Sequence, residues 1–264
     1  MNKYAFYLLS ILFAAACRNA PADGQTTAAA AQEKIETAKP EPDSVPVFPI
    51  EYLTGKFDYE SHPDFTKVDP AYADGPGYYL RREAYEAFQR MQAAAKADGI
   101  ALRIISASRT FDYQRGIWEA KWTGKRKSNN IFVHTIADPK ERALEILKVS
   151  AMPGTSRHHW GTDVDLNAVN NGYFESGAGK QVYDWLTANA AAYGFCQPYT
   201  AGRPSGYTEE KWHWSYQPLS SQLTKAAAHQ LTDEQISGFL GDETALTIGV
   251  LEKYILGINP DCLQ

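Results

Sequence analysis

Basic runs are missing from this chain of 264 residues. Lys and Arg total 26 against 31 Asp and Glu, a formal net charge of −5. That balance argues against nucleic acid as the main partner. Long hydrophobic runs are missing too. Residues 4–16 are apolar apart from Ser10, a stretch too short to cross a bilayer as a mature helix. Cysteine is scarce: beyond Cys17, only Cys196 and Cys262 are left to form one pair. Histidine numbers six, so any metal site has few ligands to draw on. Aromatic residues are absent from residues 18–46, a segment rich in Ala, Pro, Glu, Lys, Thr and Asp. Such a segment cannot bury a core and is expected to be a disordered tether. No internal repeat is visible.

A hydrophobic content of 44% is ample for a core, in one domain or two small ones. Lys3 gives the short apolar stretch a positive start, and the stretch ends Ala14-Ala15-Ala16-Cys17. Small residues before a cysteine resemble the bacterial lipoprotein signal, with Ala14 in place of the usual Leu. Residues 1–17 are therefore expected to be a signal peptide, with Cys17 lipidated and the protein anchored in the cell envelope outside the cytoplasmic membrane. An ordinary secretory signal with an Ala-x-Ala site is the alternative. In an exported protein Cys196 and Cys262 are candidates for a disulfide tying the C-terminal tail to the domain.

Order is expected from about residue 47. Residues 51–78, with aromatics scattered between Gly and Pro, read as an irregular wrap. Residues 79–98 keep helical spacing through Leu80, Tyr85, Phe88, Met91 and Ala95, and Gly99 is a stop. Residues 100–106 read as a buried strand and residues 112–122 as a helix. Residues 121–130 read as an exposed polar loop. Asp138-Pro139 is a cap followed by Pro at the first turn, opening a helix to about Val149. Residues 180–193 are amphipathic and stop at Gly194. Residues 197–209 read as a long loop and candidate lid, and residues 212–216 as a strand. Residues 221–257 read as two or three short helices, with a capping box at Thr232-Asp233-Glu234-Gln235.

The densest chemistry lies in residues 153–166, Pro-Gly-Thr-Ser-Arg-His-His-Trp-Gly-Thr-Asp-Val-Asp-Leu. A loop runs into a half-buried strand, with Val164 and Leu166 on one face and Asp163 and Asp165 on the other. Carboxylates lined up beside a histidine loop call for a cation, and a divalent metal is the first candidate. Zinc takes three N/O ligands and keeps one position open. His158 and Asp165 supply two. Among the remaining histidines, His213 in Glu210-Lys211-Trp212-His213-Trp214 is the best third ligand. Glu210 is then placed to act on a water as base and acid. On a straight strand residues 210 and 213 point to opposite faces, so a turn near Lys211 is required. Asp163 is either in the second layer around the metal or a solvated carboxylate. His159 is a hydrogen-bonded neighbour rather than a ligand. Trp160, Trp212 and Trp214 are core or pocket walls.

Ser156-x-His158-x-x-Gly161-x-x-x-Asp165, followed by Glu210-x-x-His213, resembles the zinc D-alanyl-D-alanine carboxypeptidases of the VanY type, within the wider LAS metallopeptidases. Ser106-x-x-Arg109-Thr110 with Gln114 resembles the family's upstream element, Thr110 standing where Ser is frequent. Asp163 departs from the family's frequent Ala. The likeness covers roughly residues 75–218. It implies one zinc ion held by His158, Asp165 and His213, with Glu210 as general base and acid. It implies Arg109 as a substrate contact that stabilises developing negative charge, and Ser156 and Gln114 as substrate contacts. It also implies an α+β fold, a small antiparallel sheet flanked by helices.

Together these observations predict a catalytic domain over residues 47–220 and a helical C-terminal extension over residues 221–264. The expected reaction is zinc-dependent hydrolysis of the terminal D-Ala-D-Ala bond of peptidoglycan stem peptides, by a monomer held at the membrane by its N-terminal lipid. An L,D-carboxypeptidase or a peptidoglycan endopeptidase on the same ligand set, or a peptidoglycan-binding lipoprotein without catalysis, are the alternatives.

Overall fold

Strand β4, Asp163–Leu166, is the centre of a four-stranded antiparallel sheet in the order β3-β4-β6-β5. It pairs with β3 (Ile104–Ser106) on one side and β6 (His213–Tyr216) on the other, and β5 (Phe195–Cys196) pairs with the far edge of β6. Alternation decides what each face does. Val164 and Leu166 enter the main core with Ile104, Phe88, Met91 and Trp214. Asp163 and Asp165 point to the opposite face. All four residues of β4 are buried, so the strand is covered on both faces rather than half-buried.

The structure, a computed structural model, describes residues 45–264. The expected signal peptide with Cys17 and nearly all of the expected tether lie outside the described residues. In chain order come the short helix α1 (Ile50–Leu53), the hairpin of β1 (Phe65–Lys67) and β2 (Tyr79–Arg81), and α2 (Arg82–Ala97). After β3 follow α3 (Phe111–Trp122) and α4 (Pro139–Leu147). Beyond β4 lie α5 (Gly177–Asn189), β5, β6, α6 (Gln217–Gln230) and α7 (Thr244–Ile248). Among the described residues no helix is long and apolar enough to cross a membrane.

Several helices start where their caps predict. The Asp138 carboxylate accepts from the Lys140 and Glu141 amides at 2.7 and 3.2 Å and opens α4. Thr110 accepts from the Tyr113 amide at 3.1 Å and opens α3. Thr232 and Gln235 form the expected capping box. Gly194, at φ 81°, ends the turn that follows α5, in a conformation costly for other residues.

Further expectations need correction. Residues 79–81 are a strand, because Tyr79 and Leu80 pair with Lys67 and Thr66; helical spacing there continued the pattern of α2 one turn too far. The strand expected over residues 100–106 pairs only from Ile104, and a register shift follows. Lys121 belongs to α3 and is buried, not part of an exposed loop. Residues 197–209 are pinned rather than free. Arg203 donates to the carbonyls of Thr200, Ser205, Tyr207 and Gly257, and Tyr199 and Tyr207 are buried.

The predicted boundary at 220/221 falls inside α6. Residues beyond it enter two hydrophobic clusters. Leu223, Ala226, Ala227, Leu231 and Ile255 pack with Tyr52, Leu53, Phe65 and Trp160. Ile236, Phe239, Ala245, Ile248 and Ile258 pack with Phe111, Trp118, Ile146 and Tyr199. Cys262 and Cys196 form the disulfide expected of them, with Cα atoms 5.7 Å apart.

Candidate active site

Register brings three site residues into one row. Ser106 lies opposite Asp165 across β3 and β4, and Asp165 lies opposite His213 across β4 and β6. His158 arrives from the other side, on the 3-10 turn Arg157–Trp160 that precedes β4. Gly161 ends that turn at φ 72°, and a Cβ there would lie 2.4 Å from the Phe65 ring. Only glycine lets the chain pass from the histidine turn into the aspartate strand at that point.

His158, Asp165 and His213 each offer one ligand atom, all within 4.8 Å of one another and all buried. Asp165 Oδ1 lies 3.3 Å from His158 Nε2 and 3.2 Å from His213 Nδ1. The far ring nitrogens set the tautomers. His158 Nδ1 is 2.8 Å from the Ala107 carbonyl, which can only accept, so Nδ1 carries the proton. His213 Nε2 is 2.8 Å from Asp163 Oδ2 and donates to it. Each ring thus turns its other nitrogen, His158 Nε2 and His213 Nδ1, towards the Asp165 carboxylate oxygen. His158 Nε2 and Asp165 Oδ1 are buried and make no hydrogen bond. Orphaned acceptors of this kind are costly unless a cation joins them, and two nitrogens with an oxygen form a zinc-type donor set.

Electrostatics agree with the geometry. Burial opposes a charge on His213, but the hydrogen bond to Asp163 and the nearby carboxylates of Asp165 and Glu210 outweigh it and hold the imidazole well above its ordinary pKa. A field of that sign favours any positive charge, proton or metal. Burial and the Arg109 charge push His158 down, towards the neutral form a ligand needs. Burial alone would raise Asp165, and the neighbouring His158, His213 and Arg109 instead hold it well below the carboxylate range.

Glu210 meets the stereochemical requirement noted above. The His213 amide donates to the Glu210 carbonyl at 3.3 Å, closing a turn over Lys211 and Trp212. The turn brings Glu210 Oε2 to 3.4 Å from His213 Nδ1. Gln197 donates to the Glu210 carbonyl at 3.0 Å, and the Glu210 amide donates to Tyr199 O at 2.9 Å. The Glu210 side chain is 16% exposed, largely buried yet open enough to meet water.

Arg109 Nη2 donates to Asp165 Oδ2 at 2.8 Å, and Nε and Nη2 both reach Ser106 Oγ. Nη1 has only a 3.5 Å approach to Gln114 Oε1, so that edge can meet a substrate oxygen. Gln114 is buried and donates to the Ala151 carbonyl at 2.9 Å, which makes it a support for Arg109. Ser156 is buried at the start of the histidine turn. His159 is buried between the Arg109 carbonyl, 2.7 Å from Nδ1, and the Gly154 amide, which donates to Nε2 at 3.1 Å. Accepting that amide requires a neutral ring, and burial lowers its pKa to about 4. His62, His134 and His229 lie outside the site. Trp160 and Trp214 are core residues, and Trp212 packs against the core.

Asp163 is not solvated. It is fully buried and accepts from Thr162, Ser215, Arg157 and His213. Sequence reasoning missed its partner Arg157, which lies within the motif itself. The signal was available: an arginine beside two histidines and six residues before a second aspartate.

Two buried histidines and a buried aspartate with a glutamate beside them form the donor set and acid–base partner of a zinc-hydrolase-type site. The family model for VanY, D-alanyl-D-alanine carboxypeptidase, matches residues 77–219, and the chain belongs to that family. YodJ of Bacillus subtilis is 28% identical over 165 residues, which are 60% of this chain and 52% of that protein. A D-alanyl-D-alanine carboxypeptidase of Enterococcus faecalis is 34% identical over 125 residues, 47% of this chain and 42% of that protein. The chain thus spans about half the length of these curated relatives. Among solved structures, VanYB in complex with D-Alanine-D-Alanine aligns at TM-score 0.43 and 25% identity, over 58% of this chain and 76% of that one.

Proposed function

We propose that the protein is a zinc carboxypeptidase that removes the terminal D-alanine from peptidoglycan stem peptides. The observation that carries this reading is the convergence of His158 Nε2, Asp165 Oδ1 and His213 Nδ1, with Glu210 beside them. These three residues fit one zinc ion. Zinc held there would polarise a peptide carbonyl and acidify a water.

The chain's own residues do the rest. Glu210 takes a proton from the attacking water and passes it to the departing amine. Arg109 Nη1 stabilises negative charge developing on the former carbonyl oxygen. Ser156 meets the substrate's free carboxylate. Asp165 is shared between the metal position and Arg109, so one carboxylate orients both. A lipid anchor at Cys17 would hold the enzyme outside the cytoplasmic membrane, where stem peptides are. The disulfide accords with an oxidising compartment.

Mass spectrometry of muropeptides treated with the purified protein and zinc tests the proposal and names the bond cut. Loss of one terminal D-Ala from pentapeptide stems is expected; tetrapeptide shortening or cross-link cleavage would assign the L,D- or endopeptidase reading. Glu210→Gln is expected to retain zinc and lose about 10²–10⁴-fold in rate. Unchanged release by that variant would remove Glu210 from the mechanism. No product from any fragment, with zinc confirmed by elemental analysis, would leave peptidoglycan binding without catalysis.

A further inference from the structure

Arg157 and Asp163 have no part in the chemistry above, yet both side chains are fully buried and ion-paired, with Arg157 Nε 3.0 Å from Asp163 Oδ2. A buried ion pair is costly unless every lone pair and proton is used. Here the carboxylate is saturated. Oδ1 accepts from Thr162 Oγ1 at 2.6 Å and Ser215 Oγ at 2.8 Å, while Oδ2 accepts from Arg157 and from His213 Nε2 at 2.8 Å. The guanidinium is held as firmly. Nη2 donates to Ser215 Oγ at 2.8 Å, Nη1 donates to Thr224 Oγ1 at 2.9 Å, and its face lies 4.8 Å from the Trp160 ring. Thr224 Oγ1 in turn donates to the Ser220 carbonyl within α6 at 2.7 Å.

Every contact in this network leads to one atom that matters for the site, His213 Nε2. With Asp163 fixed, Nε2 must donate, which leaves Nδ1 as the nitrogen whose lone pair a metal beside Asp165 would take. We infer that Arg157 and Asp163 are positioning residues that lock the tautomer and orientation of His213 as a metal ligand, and that α6 completes this lock through Thr224. Thr224 lies outside the segment the family model matches, which ends at residue 219. The C-terminal helices therefore reach the metal position through three side chains, Thr224, Arg157 and Asp163. The inference rests on the zinc reading of the site.

The test is the zinc affinity of the purified full chain, measured by competition with a chromophoric chelator. Asp163→Asn is close to isosteric and is expected to weaken zinc 10–100-fold. Thr224→Val, a smaller perturbation, is expected to weaken it less, with the far-UV circular dichroism of the parent retained. Cobalt(II) loading adds a signature that a purely structural role would not move, a visible band shifted in Asp163→Asn as the donor strength of His213 changes. In the nitrogen-15-labelled, zinc-loaded parent, His213 Nε2 should carry a proton. Parent-like zinc affinity and cobalt spectrum in Asp163→Asn overturn the inference, and so does an unprotonated Nε2. Should Asp163→Asn fail to fold, the parent nitrogen spectrum and Thr224→Val decide. A parent chain that binds no zinc defeats the metal reading and this inference together; a parent that binds zinc no better than Asp163→Asn defeats this inference alone.

Discussion

His158 and His159 are neighbours of one residue type with opposite tasks, and their hydrogen bonds separate them. His158 has one nitrogen committed to Ala107 O and the other orphaned. His159 has both nitrogens committed to backbone, so nothing is left for a ligand. A sequence places both rings at the same turn; only the partners say which nitrogen is free. Lys121 makes the same point for charge. It is buried, and its ammonium has Ser150 Oγ as hydrogen-bond partner at 2.5 Å. Burial, then the charges of Arg126 and Arg109, lower its pKa to about 8. An unfolded lysine titrates at about 10.4. The unfolded chain therefore holds this proton more tightly, and folding is penalised in full below pH ~8. The penalty fades as pH rises from ~8 towards ~10.4. Lys121→Met is expected to be more stable than the parent near neutral pH, with the gap narrowing above pH ~8. Urea denaturation across that range checks this, and a pH-independent gap would refute it.

At the scale of elements, the four residues of β4 do most of the positioning. Their alternation sends two apolar side chains into the core and two carboxylates into the site, and antiparallel pairing sets His213 against Asp165. A one-residue slip of β6 would put Trp214 in that place and His213 in the core. The loop 197–209 is the second such element. It runs from Cys196 to Glu210, and its anchors are the disulfide, the Arg203 carbonyl contacts and Asn259, whose amide donates to Pro198 O at 2.8 Å. The loop is thus a fixed wall beside Glu210 rather than a lid. With the cysteines 66 positions apart in sequence, loop-closure entropy puts the disulfide at about 4 kcal/mol. Cys196→Ser with Cys262→Ser should lose about that much in urea denaturation under oxidising conditions. A loss below ~1 kcal/mol would mean that packing alone holds the tail.

For the molecule as a whole, the C-terminal segment is structural rather than appended. Its residues contribute to two of the three hydrophobic clusters, and α6 alone places Leu223, Ala226 and Ala227 against Tyr52, Phe65 and Trp160. Burying a side chain of Leu size is worth about 1.5–3 kcal/mol. Removing many of them exceeds the 5–15 kcal/mol by which such proteins are stable. A chain ending at residue 219 is therefore expected to lack a cooperative thermal transition in circular dichroism. A sharp transition near the parent's would show that the segment matched by the family model folds alone.

Much of the site was legible without coordinates. His158, Asp165, His213 and Glu210 stand out because scarce histidines lie beside carboxylates that no core could absorb. Helix starts at Asp138 and Thr232 were legible because capping is local, decided by side chains two or three residues from the amides they serve. What the sequence could not decide was nonlocal. Whether residues 79–81 extend α2 or form a strand depends on Lys67 and Thr66 across the hairpin. Whether Asp163 is solvated depends on Arg157 turning inward and on Ser215 arriving from β6. Whether residues 221–264 are an appendage depends on clusters whose other members lie up to the start of the fold. The sequence by itself determined which side chains could do the chemistry. Only the tertiary structure decided which lone pairs are left free to do it, because a hydrogen bond between distant segments is a property of their approach and not of either segment alone.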